Sequence, residues 1–317
     1  MTTLLTTLLT LACVLPMGSA RAQSDDGAPL RVLCTIPTYA SLAHHIGGDL
    51  VETVVLCRPG QDLHQVTATP ALMARARGAE LLLQTGLDAE PWLEPLLRST
   101  NNVHLLQGNP RSINLSQGIA LKQVPPVLSR SLGDQHAMGN PHVWTDPYHV
   151  RTMSEHVRDA LMDALPQHAE TIRANHVTFH TRLTKALIGW LTEFQSLKGS
   201  PVVSYHQSWT YLIERLGLDD AGTLEPKPRV VPTVAHMENL VEAMNARDVT
   251  VILSEPWQFP EPAEFVIERT QAKSLVISTH PGYPEGTEDV LDHFDHNMKA
   301  LKAALTGEVA ERGEGGG

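Results

Sequence analysis

Between residues 30 and 305 the chain alternates short runs of aliphatic and β-branched residues with segments that carry helix-start signals. Strand-like runs fall at 31–35, 52–56, 81–85 and 103–107, and again at 201–205, 249–254 and 274–278. Thr69-Pro70, Glu90-Pro91 and Asp146-Pro147 each place a polar residue before proline, the pattern of an N-cap followed by the first helical position. Parallel strands need a crossover of a dozen or more residues, which a helix supplies. The alternation therefore predicts an α/β fold of βα units with parallel sheets.

One stretch departs from this rhythm. From Pro166 to Leu197 the only further glycine or proline is Gly189, and apolar residues recur at Ile172, Leu183, Leu187, Leu191 and Phe194. That spacing predicts a single helix of roughly 30 residues, about 45 Å long. Residues 108–141, with four Gly and four Pro, read as a long surface loop. The expected organisation is a first α/β lobe over 23–165, a rigid linker helix over 166–198, a second α/β lobe over 199–305 and a flexible tail over 306–317. Within these, helices are also expected at 207–216, 233–246, 261–271 and 288–305.

Residues 4–17 form an apolar run interrupted by threonines, and Ala20-Arg21-Ala22 fits a small-x-small cleavage site. Residues 1–22 are therefore expected to be an export signal, although no Lys or Arg precedes the run. Cys13 lies inside that run with Thr10 three positions before it, so a soluble periplasmic chain is expected rather than a lipid-anchored one. No later apolar stretch reaches the ~20 residues of a spanning helix. With 24 basic against 35 acidic residues, the formal charge of −11 argues against nucleic acid or an anionic membrane surface as partner. Cys34 and Cys57 each end a strand-like run. In an oxidising compartment a Cys34–Cys57 bridge is expected, the alternative being two buried thiols on neighbouring strands.

Sixteen histidines in one chain point toward metal chemistry. There is no Gly-x-Ser-x-Gly, no phosphate-cradling loop ending in Lys and no His-Glu-x-x-His. Open parallel sheets bind ligands beyond the carboxyl ends of their strands. His64, His142, His206 and His280 all fall at such loop positions, two in each half of the chain. Four neutral imidazoles close a tetrahedral Zn²⁺ site at ~2.0–2.1 Å, whereas Mn²⁺ prefers carboxylate oxygen. The set therefore favours Zn²⁺ over Mn²⁺.

Several segments together resemble the metal-binding solute-binding proteins of ABC importers, the zinc and manganese group. They are Ile46-Gly47-Gly48-Asp49, Pro59-Gly60-x-Asp62-x-His64, Asn140-Pro141-His142-Val143-Trp144-x-Asp146-Pro147, Ser204-Tyr205-His206-x-x-Trp209-x-Tyr211 and Ser254-Glu255-Pro256. The resemblance implies two α/β lobes joined by one long helix, with the metal held in the interlobe cleft. It implies docking onto an ABC permease in the inner membrane; a periplasmic metallochaperone that loads the site would be a further partner, and a monomer is expected. By matched motif, His64, His142 and His206 take the first three ligand places. The fourth is usually Asp, and here the position falls on His280, with Glu255 or water as rivals. Zinc-selective relatives often carry a His-rich acidic insertion, of which His136 would be the only remnant.

The remaining histidines have plainer expectations. His176 and His180, at i, i+4, are read as a solvated face of the linker helix, and His293 and His296 as exposed decoration of the last one. His44 and His45 cannot share a helix face. Trp144 and Trp209 are read as packing near the cleft. The expected function is that of a zinc-binding carrier rather than an enzyme. A manganese or iron carrier of the same fold, or a three-His zinc hydrolase with Glu255 as general base, is the alternative.

Overall fold

The computed structural model describes residues 27–126, 136–227 and 230–308. The expected export signal, Cys13 and nearly all of the expected tail lie outside the described residues. The first half builds β1 (Leu30–Cys34), α1 (Pro37–Gly47), β2 (Val51–Val55), α2 (Pro70–Ala76), β3 (Leu81–Gln84), α3 (Leu93–Ser99) and β4 (Ser112–Asn114). Two helices follow, α4 (His149–Ala164) and α5 (Ala169–Glu193). The second half builds β5 (Pro201–Ser204), α6 (Thr210–Leu216), β6 (Asp219–Thr223), α7 (Val234–Ala246), β7 (Val251–Ser254), α8 (Glu261–Ile267), β8 (Lys273–Val276) and α9 (Val290–Thr306).

All strand pairs are parallel, in the orders β2-β1-β3-β4 and β6-β5-β7-β8. The two sheets thus repeat one connectivity although no residue-level repeat is visible. The inner strands β3 and β7 are buried along their whole length, as expected for parallel strands covered on both faces. One continuous apolar core joins the first sheet, α4, α5, one face of the second sheet and α9; a smaller cluster lies on the other face of the second sheet, around Val203, Ile252 and Met244.

Helix α5 has 25 residues, about 37 Å, and is flanked by 3-10 turns at Pro166–His168 and Gln195–Leu197. Its inward face, Ile172, His176, Phe179, Leu183, Leu187 and Trp190, is buried, and α1, α4 and α9 pack against it. Rather than standing free between the lobes, it is embedded in the shared core.

Two edge strands escape the sequence pattern. Residues Val103–Leu105 form a 3-10 turn, not a strand, and β4 forms instead at Ser112–Asn114 inside the expected loop. The second sheet gains β6 from Asp219–Thr223, which has no apolar run. Edge strands are paired on one side only and carry little hydrophobic signal.

The expected disulfide is not formed: Cys34 and Cys57 are both buried free thiols. The β1–β2 register pairs Cys34 with Val55, so Cys57 lies two residues farther along. Two residues of rise plus the strand spacing separate the α-carbons by about 8 Å, beyond the reach of a bridge. The thiols instead face backbone carbonyls of Val32 and Gln61, at 3.9 and 3.5 Å.

Candidate metal centre

The loop after β2 makes a short turn at Leu63–Gln65, capped by Asp62, whose Oδ1 accepts from the His64 N–H at 2.8 Å. Buried Leu63 anchors the turn, and the His64 ring is centred 6.5 Å from that of His206. After β4, the Asn140 Oδ1 accepts from the His142 N–H at 2.9 Å and starts the turn Val143–Thr145. His206 continues directly from β5 in an extended conformation. The loops after β2 and β5 and the segment leading into α4 thus aim three imidazoles at one point.

One ring nitrogen from each of His64, His142 and His206 lies within 4.8 Å of the others. The Nε2 atoms of His64 and His142 are 3.2 Å apart, and the His206 ring is centred 5.2 Å from that of His142. Each Nδ1 meets an acceptor: the Ala89 carbonyl at 3.0 Å for His64, the Asn140 amide oxygen at 2.9 Å for His142 and the Glu225 carboxylate at 2.7 Å for His206. A carbonyl accepts only, so Nδ1 of His64 carries the proton. The Asn140 amide is oriented by its Nδ2, which donates to the Gln207 carbonyl at 2.7 Å, so Nδ1 of His142 carries the proton too. In the neutral rings two Nε2 lone pairs then face each other at 3.2 Å. Only a proton or a cation between them makes that approach favourable. Ligand nitrogens on a tetrahedral Zn²⁺ are about 3.3 Å apart.

Burial, and after it the neighbouring imidazoles of His64 and His206, hold His142 well below the ordinary histidine pKa. Burial also pushes His206 down, but the hydrogen bond and charge of Glu225, with Glu255 and Asp62, outweigh it and raise its pKa. His142 therefore stays neutral and able to ligate, while His206 is the ring that protons compete for.

The structure leaves the other candidates outside this group of three. His280, four residues beyond β8, is fully buried and stacks between Trp144 and Trp257, with centroids at 5.7 and 6.1 Å. Among the described residues neither of its ring nitrogens has a hydrogen-bond partner. Glu255, after β7, is buried, and burial raises its pKa to about 8 against the opposing pull of His206. His136 reaches the site from its loop, its ring 4.9 Å from that of His64. Trp144 is buried packing, as expected, and its Nε1 also donates across the lobes to the Thr279 carbonyl at 3.1 Å. Contrary to expectation His176 is buried, bonded to Ser154 at 3.2 Å, and His293 is buried beside Asn297. Sequence reasoning missed Glu225, because it follows β6, the strand that carries no apolar signal.

A cleft of about 510 Å³ opens on one side of the three histidines, lined by Asp62, Glu225, Trp257, Phe259 and Glu261. A second, of about 340 Å³, opens between Gln123, His136, Pro141 and Gln207. Elsewhere the lobes touch: a Cβ on Gly282, at φ +86, would lie 2.8 Å from Pro59 Cγ, so only glycine fits that approach.

Residues 32–304 match the family described as zinc-uptake complex component A, periplasmic. The iron-binding protein YfeA of Yersinia pestis is 24% identical over 255 residues, covering 79% of this chain and 77% of its own. The high-affinity zinc uptake system protein ZnuA of Yersinia pestis is 23% identical over 289 residues, covering 84% and 86%. The fold is shared with a Mn-bound periplasmic metal-binding protein from Candidatus Liberibacter asiaticus, at a TM-score of 0.72 and 21% identity over 87% of this chain and 99% of that one. Among the described residues no helix is long and apolar enough to cross a membrane.

Proposed function

This chain belongs to the family of periplasmic zinc-uptake components, the metal-binding solute-binding proteins of ABC importers, and on that premise we propose that it captures Zn²⁺ between its lobes and delivers it to an ABC permease in the inner membrane. The family consists of transport proteins, so the hydrolase alternative is withdrawn. His64, His142 and His206 are the proposed ligands. The carrying observation is the pair of Nε2 atoms held face to face at 3.2 Å by acceptors on both Nδ1 atoms. An all-imidazole group supports zinc over manganese.

For the fourth position His280 is the proposed ligand, on its two unpartnered ring nitrogens and its electrostatic reach to His142. A manganese or iron carrier is the second reading, favoured by the likeness to iron-binding YfeA, and it requires Glu255 or another carboxylate to enter the coordination shell.

The test is a competitive titration of the purified chain with Zn²⁺, Mn²⁺ and Cu²⁺, repeated on His142→Ala and His206→Ala. Each variant is expected to fold and to lose more than about 100-fold in zinc affinity, since changes beyond the ligands alone cost about 10–100-fold. Unchanged affinity in both variants would refute the site. His280→Ala is expected to weaken zinc by at least about tenfold, and no loss assigns the fourth position to Glu255 or water.

A further inference from the structure

We propose that Glu90 is a positioning residue for the metal centre: its buried carboxylate anchors the turn whose carbonyl sets the tautomer of His64. This rests on the reading of His64 as a metal ligand.

Between β3 and α3 the backbone passes through Gly86, Leu87 and Asp88 at φ +76, +58 and +57. Glycine adopts the left-handed region freely, whereas Leu and Asp do so at a cost, so the turn needs an anchor. Glu90 is that anchor. Its Oε1 accepts from the Thr85 N–H at 2.7 Å and the Thr35 hydroxyl at 2.8 Å, and its Oε2 accepts from the Gly86 N–H at 3.2 Å. Thr35 follows β1 and Thr85 follows β3, so a single carboxylate ties two strand ends to the turn.

The Ala89 N–H donates back to the Gly86 carbonyl at 3.0 Å, closing the turn. The Ala89 carbonyl then accepts from Nδ1 of His64 at 3.0 Å. Because a carbonyl only accepts, that bond places the proton on Nδ1 and leaves Nε2 for the metal. A second tie, Trp92 Nε1 to the Leu63 carbonyl at 2.7 Å, holds the two loops together but does not touch the ring. Glu90 is not in the histidine group and acts through the turn.

The experiment compares wild type, Glu90→Ala, Glu90→Gln and Thr35→Val by Zn²⁺ titration against a chelator, and by ¹⁵N NMR of the His64 ring in the metal-free chain. In Glu90→Ala, affinity is expected to fall at least about tenfold and His64 to lose its Nδ1–H form. Glu90→Gln retains an oxygen for Thr35 and Thr85 but turns an NH2 toward the Gly86 N–H, so its affinity is expected to fall between those of wild type and Glu90→Ala. A purely structural role would lower the melting temperature and leave the tautomer alone.

A folded Glu90→Ala with wild-type affinity and tautomer overturns the proposal. Should Glu90→Ala fail to fold, Thr35→Val decides. It removes one of the three donors and is expected to weaken zinc about two- to fivefold with a shift in the His64 tautomer; no change in either overturns the proposal. If the wild type binds no divalent cation, the proposed function fails. The tautomer comparison then still decides whether Glu90 positions the ring.

Discussion

Three imidazoles are oriented here by three chemically different acceptors, a backbone carbonyl, an amide oxygen and a carboxylate. Only Glu225 is charged, so its bond to His206 both fixes the ring and makes Nε2 a stronger donor to a metal. Glu225→Gln keeps the shape and removes the charge. Its zinc affinity is expected to fall about 10- to 100-fold, and competitive titration checks it; equal affinity would show that the charge contributes nothing. The histidines were legible because each stands in a recognisable segment, His64 and His206 after strands and His142 ahead of α4. Their partners were less so: Ala89 lies 25 residues from His64 and Glu225 lies 19 residues from His206. Neither has a local pattern that announces it.

At the scale of elements, the proline-marked helix starts divide in an informative way. Thr69 is a true cap, accepting from the Leu72 N–H at 3.2 Å. Glu90 and Asp146 are not caps: α3 and α4 begin at Leu93 and His149. The Glu90 carboxylate turns inward to the turn below His64, while Asp146 accepts from Arg215 of the second lobe at 3.0 Å. A carboxylate before proline signals a constrained backbone, and only tertiary neighbours decide what it binds. Asp289 combines both uses. It caps α9 through the Leu291 N–H at 2.7 Å and pairs with His45 of α1 at 2.8 Å. Burial would raise its pKa, but these partners outweigh it and hold it at about 2. Asp289→Ala is expected to cost about 1–2 kcal/mol, read from the urea midpoint. A loss under a few tenths would show that neither the cap nor the pair matters.

Across the whole molecule, buried ionisable groups set the pH at which the metal-free chain is most stable. Burial raises Glu255 to about 8 and Glu90 to about 7. The folded chain therefore keeps protons that an unfolded Glu releases near ~4.3, and this contribution is lost as pH rises toward 8. Burial pushes His280 and His293 down to about 3. Unfolded imidazoles protonate near ~6.5, so the stability that depends on their neutral form is present above that value and lost as pH falls. Between about pH 4.3 and 6.5 the two carboxyl and two imidazole contributions offset, so the melting temperature of chelator-treated protein is expected to be nearly level there and to fall both above and below that window. A melting temperature that rises steadily from pH 6.5 to 8.5 would contradict the buried carboxyl groups. The lobes themselves are tied at several points, by Trp144 to Thr279, by Arg215 to Asp146 and by Ser41 to Val290.

Periodicity and helix-start signals by themselves determined the two parallel-sheet halves and the long helix between them, and loop positions with matched segments singled out four histidines, of which three meet. Those features are local: each is written in residues near one another along the chain. Only the tertiary structure decided the edge strands, the separation of Cys34 from Cys57, the stacking of His280 between two indoles and the acceptors that choose each tautomer. These depend on sheet register and on contacts between distant segments, where hydrogen bonds and burial are settled by the neighbours that folding brings together.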